Sequence, residues 1–295
     1  AAVQNPLAAG YAIEAAQIRR RLRMKVRIKF QKYGAMKFIG HLDVVRYFQK
    51  AFRRAGFDSV YTNGFSPRPI MSFAAPLGLG LTSDGEYLDA ELVSSEEPKV
   101  MIDKLNAVLT EGFHVTGFHI LKDREEHQKA VTAMALVSSA DYRVSLKDGY
   151  DHVEILKSKE AFQKAFADFI SKEKIVIDKK TKTSEKAVDI KPMITLTAFD
   201  EKEYRDKLSA KIQDNSQQAF DLPESTAEVY QNGIMVYLQL DTGSTVNLKP
   251  ELVMEAFYQF QNLPYNKFSW QVHRLEIYTR DSDTGKLISL DHLER

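Results

Sequence analysis

Two short runs of alternation bracket the most constrained stretch of this chain. In KVRIKF, Val26, Ile28 and Phe30 face one way and Lys25, Arg27 and Lys29 the other. In EYLDAEL, Leu88, Ala90 and Leu92 oppose Tyr87, Asp89 and Glu91. A period of two with one apolar face builds half-buried strands. Between the runs, Val44, Val45, Phe48, Ala51 and Phe52 recur at helical spacing, while Arg46, Lys50, Arg53 and Arg54 fall away from that stripe. A strand pair apolar on one face and a helix apolar on one stripe bury those surfaces against each other. Asp43 is expected to cap the helix, its carboxylate accepting the free N–H groups of the first turn. Gly56 is expected to end it by adopting a positive φ.

The rest of the chain extends this pattern. Phe57–Tyr61 and Ile70–Ala74 read as extended pieces around the Asn63–Pro69 loop, Val100–Leu109 as an amphipathic helix, and His114–Leu121 as a closing strand. The order strand, helix, two strands, helix, strand predicts a ferredoxin-like α+β sandwich with helices on one face of an antiparallel sheet. In that topology the first and third strands are neighbours, so Lys25, Arg27 and Lys29 meet Asp89 and Glu91 as a charge ladder across an open face.

From Asp141 the pattern repeats. Tyr142, Val144 and Leu146 begin a strand, and Lys159–Lys172 is a helix burying Phe162, Phe166, Phe169 and Ile170. Lys174–Lys179 and Val188–Ala198 pair across TKTSEK; Glu228–Leu240 and Ser244–Leu248 are strand. Pro250 opens a helix through Phe260, and Val272–Arg280 is the last strand. The expected architecture is therefore two ferredoxin-like (βαββαβ) antiparallel sandwiches in tandem rather than one sheet. Residues 24–122 form the first, 123–139 a connector, and 140–295 the second, with a polar insertion near 200–223. Residues 1–23 read as an extension or linker.

Composition excludes several classes. The 41 basic and 40 acidic residues leave a formal net charge of +1, so any nucleic-acid contact must come from a local patch. Zero cysteines rule out disulfides, thiolate metal sites and a cysteine nucleophile, which fits a cytoplasmic protein. No apolar run approaches the roughly 20 residues that span a bilayer.

Candidate site residues gather in one stretch. His41 precedes a helix N-terminus, where an imidazole can titrate near neutrality or hydrogen-bond a bound phosphate. Arg46, Lys50, Arg53 and Arg54 form a basic helix face. The GFSPRP loop follows, with Arg68 between two prolines and Asn63 just before it; Tyr61 and Phe65 flank it and suit stacking on bases. PLGLGLTSDGE lacks the Gly-Lys-Ser/Thr step and following helix of a phosphate loop. His114 and His119 fall on opposite faces of a strand and cannot share a metal. In the second half Lys191, Pro192, Asn247, Lys249, His273 and Arg274 are candidate contacts, each weighed against, and second to, a reading as a solvated surface residue. No cofactor or metal is called for.

FIGHLD, AFRRAGF, YTNGFSPRPIMSFA and PLGLGLTSDGEYLDAEL, in this order, resemble the radical-SAM-linked protein family, a bacterial domain of unknown function. The resemblance covers Met24–Leu121; the second half is similar in layout. It rests on His41, Asp43, Arg53, Arg54, Tyr61, Gly64, Phe65, Pro67, Pro69, Glu86, Tyr87 and Asp89. Members are encoded beside, or fused behind, a radical S-adenosylmethionine (SAM) protein with a cobalamin-binding-type domain. Many have Asn-Pro-His-Pro where this chain has Ser66-Pro67-Arg68-Pro69. The resemblance implies partnership with a radical enzyme and supplies no reaction.

The expectation is an accessory or substrate-presenting protein, without activity of its own, that holds an anionic ligand such as RNA on the basic helix and the GFSPRP loop. Two alternatives stand beside it. One is a metal-independent endoribonuclease of tandem ferredoxin-like type using His41, Tyr61 and Arg68. The other is a module that only binds protein.

Overall fold

The computed structural model describes residues 23–121, 132–180, 185–213, 224–243 and 246–293. The extension at 1–22, most of the expected connector and most of the polar insertion lie outside these residues. The fold is mixed α+β: a mainly antiparallel sheet with six α-helices among the described residues.

The first half runs β1 (Met24–Lys32), α1 (His41–Arg54), β2 (Met71–Phe73), β3 (Thr82–Leu92), α2 (Pro98–Asn106) and β4 (Phe113–Leu121). β1 lies between β3 and β4, antiparallel to both, and β2 borders the C-terminal part of β3. Val26, Ile28, Phe30, Leu88, Ala90 and Leu92 form one core with Val44, Phe48 and Phe52 of α1, as their alternation and helical spacing require. Gly56 ends α1 at φ +73°.

The second half runs α3 (Ala133–Leu136), β5 (Ser139–Leu146), α4 (Lys159–Ile170), β6 (Val176–Lys180), β7 (Glu185–Asp189), β8 (Ile194–Ala198), α5 (Glu201–Ser209), β9 (Met235–Asp241), α6 (Pro250–Phe260), β10 (Trp270–Arg280) and β11 (Leu287–Ser289). β6 and β7 pair as a separate hairpin. The strand predicted over Val188–Ala198 is thus two, and no strand forms over 246–248. Phe162, Phe166 and Phe169 of α4 pack edge-on or tilted against Phe257 of α6 over β5, β9 and β10.

The expectation of two separate sheets needs correction. One sheet runs in the order β4-β1-β3-β10-β5-β9-β8. The joint is a parallel contact of β10 with the start of β3, through His273 opposite Thr82 and Arg274 opposite Ser83 alone. The strands approach closely there: a Cβ on Gly85 would lie 2.7 Å from the Leu275 carbonyl oxygen.

The charged face is not open either. Lys25, Arg27 and Lys29 do stand opposite Glu91, Asp89 and Tyr87, and Arg27 bonds Asp89 at 2.8 and 3.1 Å. Arg27 and Lys29 are nevertheless buried. Segments of the second half roof this face: Ala133 N donates to Asp89, Arg27 donates to the Leu290 carbonyl, and Ser225 and Thr226 donate to Asp84. Alternation reveals which residues share a face; it is silent on what a distant segment lays over them.

Candidate functional site

The alternation of β1 does not stop at Phe30. Lys32 continues the apolar face of Val26, Ile28 and Phe30, and Glu86 precedes Leu88 and Ala90 on the matching face of β3. Two charged side chains at core positions break the binary pattern, and that signal was readable in the sequence. In the structure they line one shallow, narrow recess open to solvent, with Phe30, His41, Val44, Phe73, Pro76 and Leu77.

The recess lies at the N-terminus of α1. The helix starts one turn earlier than the sequence predicts. Gly40 is its N-cap, with no side chain to serve as a cap, and Asp43 N and Val44 N both donate to the Gly40 carbonyl. Asp43 is therefore not the cap; it sits exposed in the first turn and pairs with Arg46 at 3.4 Å. The N–H groups of His41 and Leu42 have no acceptor among the described residues.

Lys32 is 2 % exposed, and its Nζ donates to the Ile39 carbonyl at 3.2 Å. Burial lowers its pKa, against the pull of Glu86 and with the push of Arg274. Glu86 accepts from Arg274 Nη1 at 2.7 Å, and the same nitrogen reaches the Ala75 carbonyl at 2.8 Å. Burial raises the Glu86 pKa in spite of that partner. The His41 ring stands edge-on to Phe73 at 5.3 Å, and its pKa is lowered by burial and then by Lys32.

Residues 25–250 of the chain match a family described as uncharacterized protein conserved in bacteria, DUF2344. The chain belongs to this family. The DUF2344 match runs into both halves but stops before β10, the strand that meets β3 at the joint and carries Arg274, the partner of Glu86. Curated proteins yield no match.

A bulge in β10 explains how one strand serves both faces. The register with β5 shifts between Arg274 and Glu276. Residues two apart would share a face; the extra residue, Leu275, sends them to opposite faces. Arg274 reaches Glu86 on the helix side. Glu276 reaches Lys29 Nζ at 2.7 Å and Tyr87 OH at 2.6 Å on the other.

His273 and Arg274, read from sequence as solvated, are thus buried at the joint. His273 bridges Asp84 and Thr82, each at 2.8 Å. Carboxylate, imidazole and hydroxyl in line suggest a nucleophile relay, yet Thr82 is fully buried and no substrate atom can approach it. The group ties the halves together.

The other sequence candidates sit elsewhere. The twelve-residue step along α1 puts Arg53 about 18 Å from His41. Arg54 is held by the Val108 carbonyl at 3.0 Å and by the Tyr47 ring, while Lys50 and Arg53 are exposed without partners among the described residues. Beyond Gly56 the chain forms a hairpin. Tyr61 bridges Pro69, Thr62 N donates to the Arg68 carbonyl, and Arg68 N to Thr62 Oγ1. Gly64 turns it at φ +114°, and Pro69 is buried at its base.

Tyr61, Asn63, Phe65, Pro67 and Arg68 are exposed, Phe65 completely. Pro69 is four extended steps from Phe73, the ring that His41 touches, so the hairpin begins about 13 Å along the chain from that contact. His41, Tyr61 and Arg68 do not form one cluster. Tyr87 and Asp89 belong to the covered face and Glu86 to the recess. Among the described residues no group of three or more acidic or imidazole side chains could hold a metal ion, and no helix is long and apolar enough to cross a membrane.

Proposed function

We propose that this protein is an accessory or substrate-presenting partner of a radical SAM enzyme. It holds an anionic ligand, RNA, on the hairpin at 61–69 and the basic C-terminal end of α1. The observation that carries this reading is Phe65: an aromatic ring wholly exposed at a proline-braced tip, with Tyr61 and Arg68 exposed on the same hairpin. Exposed aromatic rings interleaved with guanidinium groups suit unpaired bases and their phosphates, each stack being worth about 1–3 kcal/mol. Lys50 and Arg53, exposed and without partners among the described residues, supply further positive charge. The strand order of each half, fourth-first-third-second, supports reading both as ferredoxin-like units joined through one sheet. The quoted motifs support the partnership with a radical enzyme.

A nucleolytic role finds less support, because His41 lies apart from Tyr61 and Arg68. Filter binding of single-stranded RNA over a salt series, with capture of the neighbouring radical enzyme in parallel, tests the proposal. Replacing Arg53, Phe65 and Arg68 together with Ala is expected to weaken RNA binding at least tenfold and to flatten its salt dependence. Unchanged retention of both RNA and enzyme by the triple variant refutes it. Salt-insensitive capture of the enzyme without RNA replaces it by a protein-docking role.

A further inference from the structure

We infer that the recess at the start of α1 is a separate binding site for a small monoanion carried on an apolar body, such as a medium-chain carboxylate, with Lys32 as its principal anchor. This goes beyond the hairpin reading and does not depend on it.

Charge matching leads to the ligand class. Glu86, in the recess wall, is paired with Arg274 behind it at 2.7 Å, so its charge is already matched. Lys32 has no carboxylate within salt-bridge distance among the described residues, and its ammonium uses one of three donors, on the Ile39 carbonyl. A buried ammonium with no counter-ion opposes folding, since burial removes its hydration and nothing replaces it. One positive charge is left over, and a single negative charge matches it. Asp43, the other acid nearby, points away to Arg46 on the exposed side of the helix.

Hydrogen-bonding capacity agrees with the charge. The N–H groups of His41 and Leu42 have no acceptor among the described residues, since Gly40 offers no capping side chain. They add two donors at the positive end of a fourteen-residue helix. The His41 ring lines the same recess and supplies a third. Lys32, two backbone N–H groups and an imidazole N–H are a donor set for oxygen atoms.

The surroundings point to an apolar body behind the head group. Phe30, Val44, Phe73 and Leu77 form the wall. Phe38, Leu42 and Leu79 are 68 %, 69 % and 67 % exposed. Phe38 and Leu42 flank the helix start in sequence. Gly80 N donates to the Lys37 carbonyl at 2.7 Å, which brings the loop carrying Leu79 beside Phe38. Three large apolar side chains left in water by the segments that lead into the recess, though outside its wall, fit a ligand with an acidic head and a hydrocarbon tail.

The test titrates the full chain with sodium acetate, sodium octanoate and inorganic phosphate at an ionic strength held constant with chloride. His41 ring and Leu42 amide resonances and the thermal midpoint are read throughout. Octanoate is expected to shift both resonances saturably and to bind at least tenfold tighter than acetate or phosphate. Lys32→Met is expected to weaken octanoate at least tenfold, while its midpoint without ligand equals or exceeds that of the parent. Paired Phe38→Ala and Leu79→Ala changes, both at exposed positions, are expected to bring octanoate down to the level of acetate.

Arg53→Ala is expected to change nothing here, which separates this site from the hairpin. Three results overturn the inference: no saturable shift with octanoate, undiminished binding in Lys32→Met, or shifts centred on residues 61–69. If Lys32→Met fails to fold, an octanoate preference that survives loss of Phe38 and Leu79 refutes it alone.

Discussion

Glu276 provides the sharpest test of how the halves are held together. Backbone pairing across the joint is confined to His273–Thr82 and Arg274–Ser83, so side chains must supply most of the attachment. Glu276 Oε2 meets Lys29 Nζ at 2.7 Å, and its Oε1 accepts from Tyr87 OH at 2.6 Å. Both charged side chains are 5 % exposed. Glu276→Gln keeps an acceptor for Tyr87 and removes only the charge. It leaves a buried ammonium whose next carboxylate, Asp291, is 3.8 Å away.

Loss of one partner of a buried pair costs about 3–5 kcal/mol, and the surviving Asp291 places this case near the lower figure. Lys29→Met strands the carboxylate and is expected to cost a similar amount. The double variant removes both charges, and its cost is expected to fall short of the sum by roughly 2 kcal/mol or more. Urea unfolding followed by far-ultraviolet dichroism and by fluorescence of the single tryptophan, Trp270, gives the four free energies. Single changes costing under about 1 kcal/mol, or strictly additive ones, refute a joint held by this pair.

Two pH dependences follow from other buried carboxyl groups. Burial is the largest influence on Asp141 and lifts its pKa to about 6, although Tyr204 OH and Tyr278 OH donate to it at 2.5 and 3.1 Å. A folded-state value above the unfolded one, near 4, means that stability is highest below about pH 4 and declines as pH rises toward 6. Asp141→Asn is expected to abolish that decline and to gain roughly 2 kcal/mol at pH 8 in urea unfolding; equal slopes for both proteins between pH 4 and 6 would count against it. Asp84 behaves in the opposite sense. Burial works against its charge, but His273, Ser225 and Thr226 outweigh burial and hold it at about 2. Its contribution, roughly 2 kcal/mol, is present above about pH 4 and lost as pH falls toward 2. Urea midpoints at pH 4 and pH 2.5 are expected to show this loss, and Asp84→Asn to show a shallower one from a lower starting stability.

What the sequence by itself determined is local. The alternation in KVRIKF and EYLDAEL assigned each side chain of β1 and β3 to a face, down to Arg27 opposite Asp89, because the side-chain period of a strand is two whatever surrounds it. Helical spacing located α1, Gly56 its end, and Pro250 the start of α6. Lys32 and Glu86 are legible too, as charges on apolar faces. Asp43 looked like a cap because its residue type favours that position, yet the neighbouring Gly40 starts the helix a turn sooner.

Tertiary structure alone decided the rest. That β10 closes onto β3, that three remote segments cover the charged face, and that a bulge at Leu275 aims Arg274 at Glu86 all depend on contacts between residues far apart in the chain. Periodicity carries no record of such contacts, because a side chain's face is set by its own backbone and its burial by whatever segment arrives later. Arg274 and His273 therefore read as surface residues, and periodicity does not tell that the strand leading to Phe73 holds the hairpin away from His41.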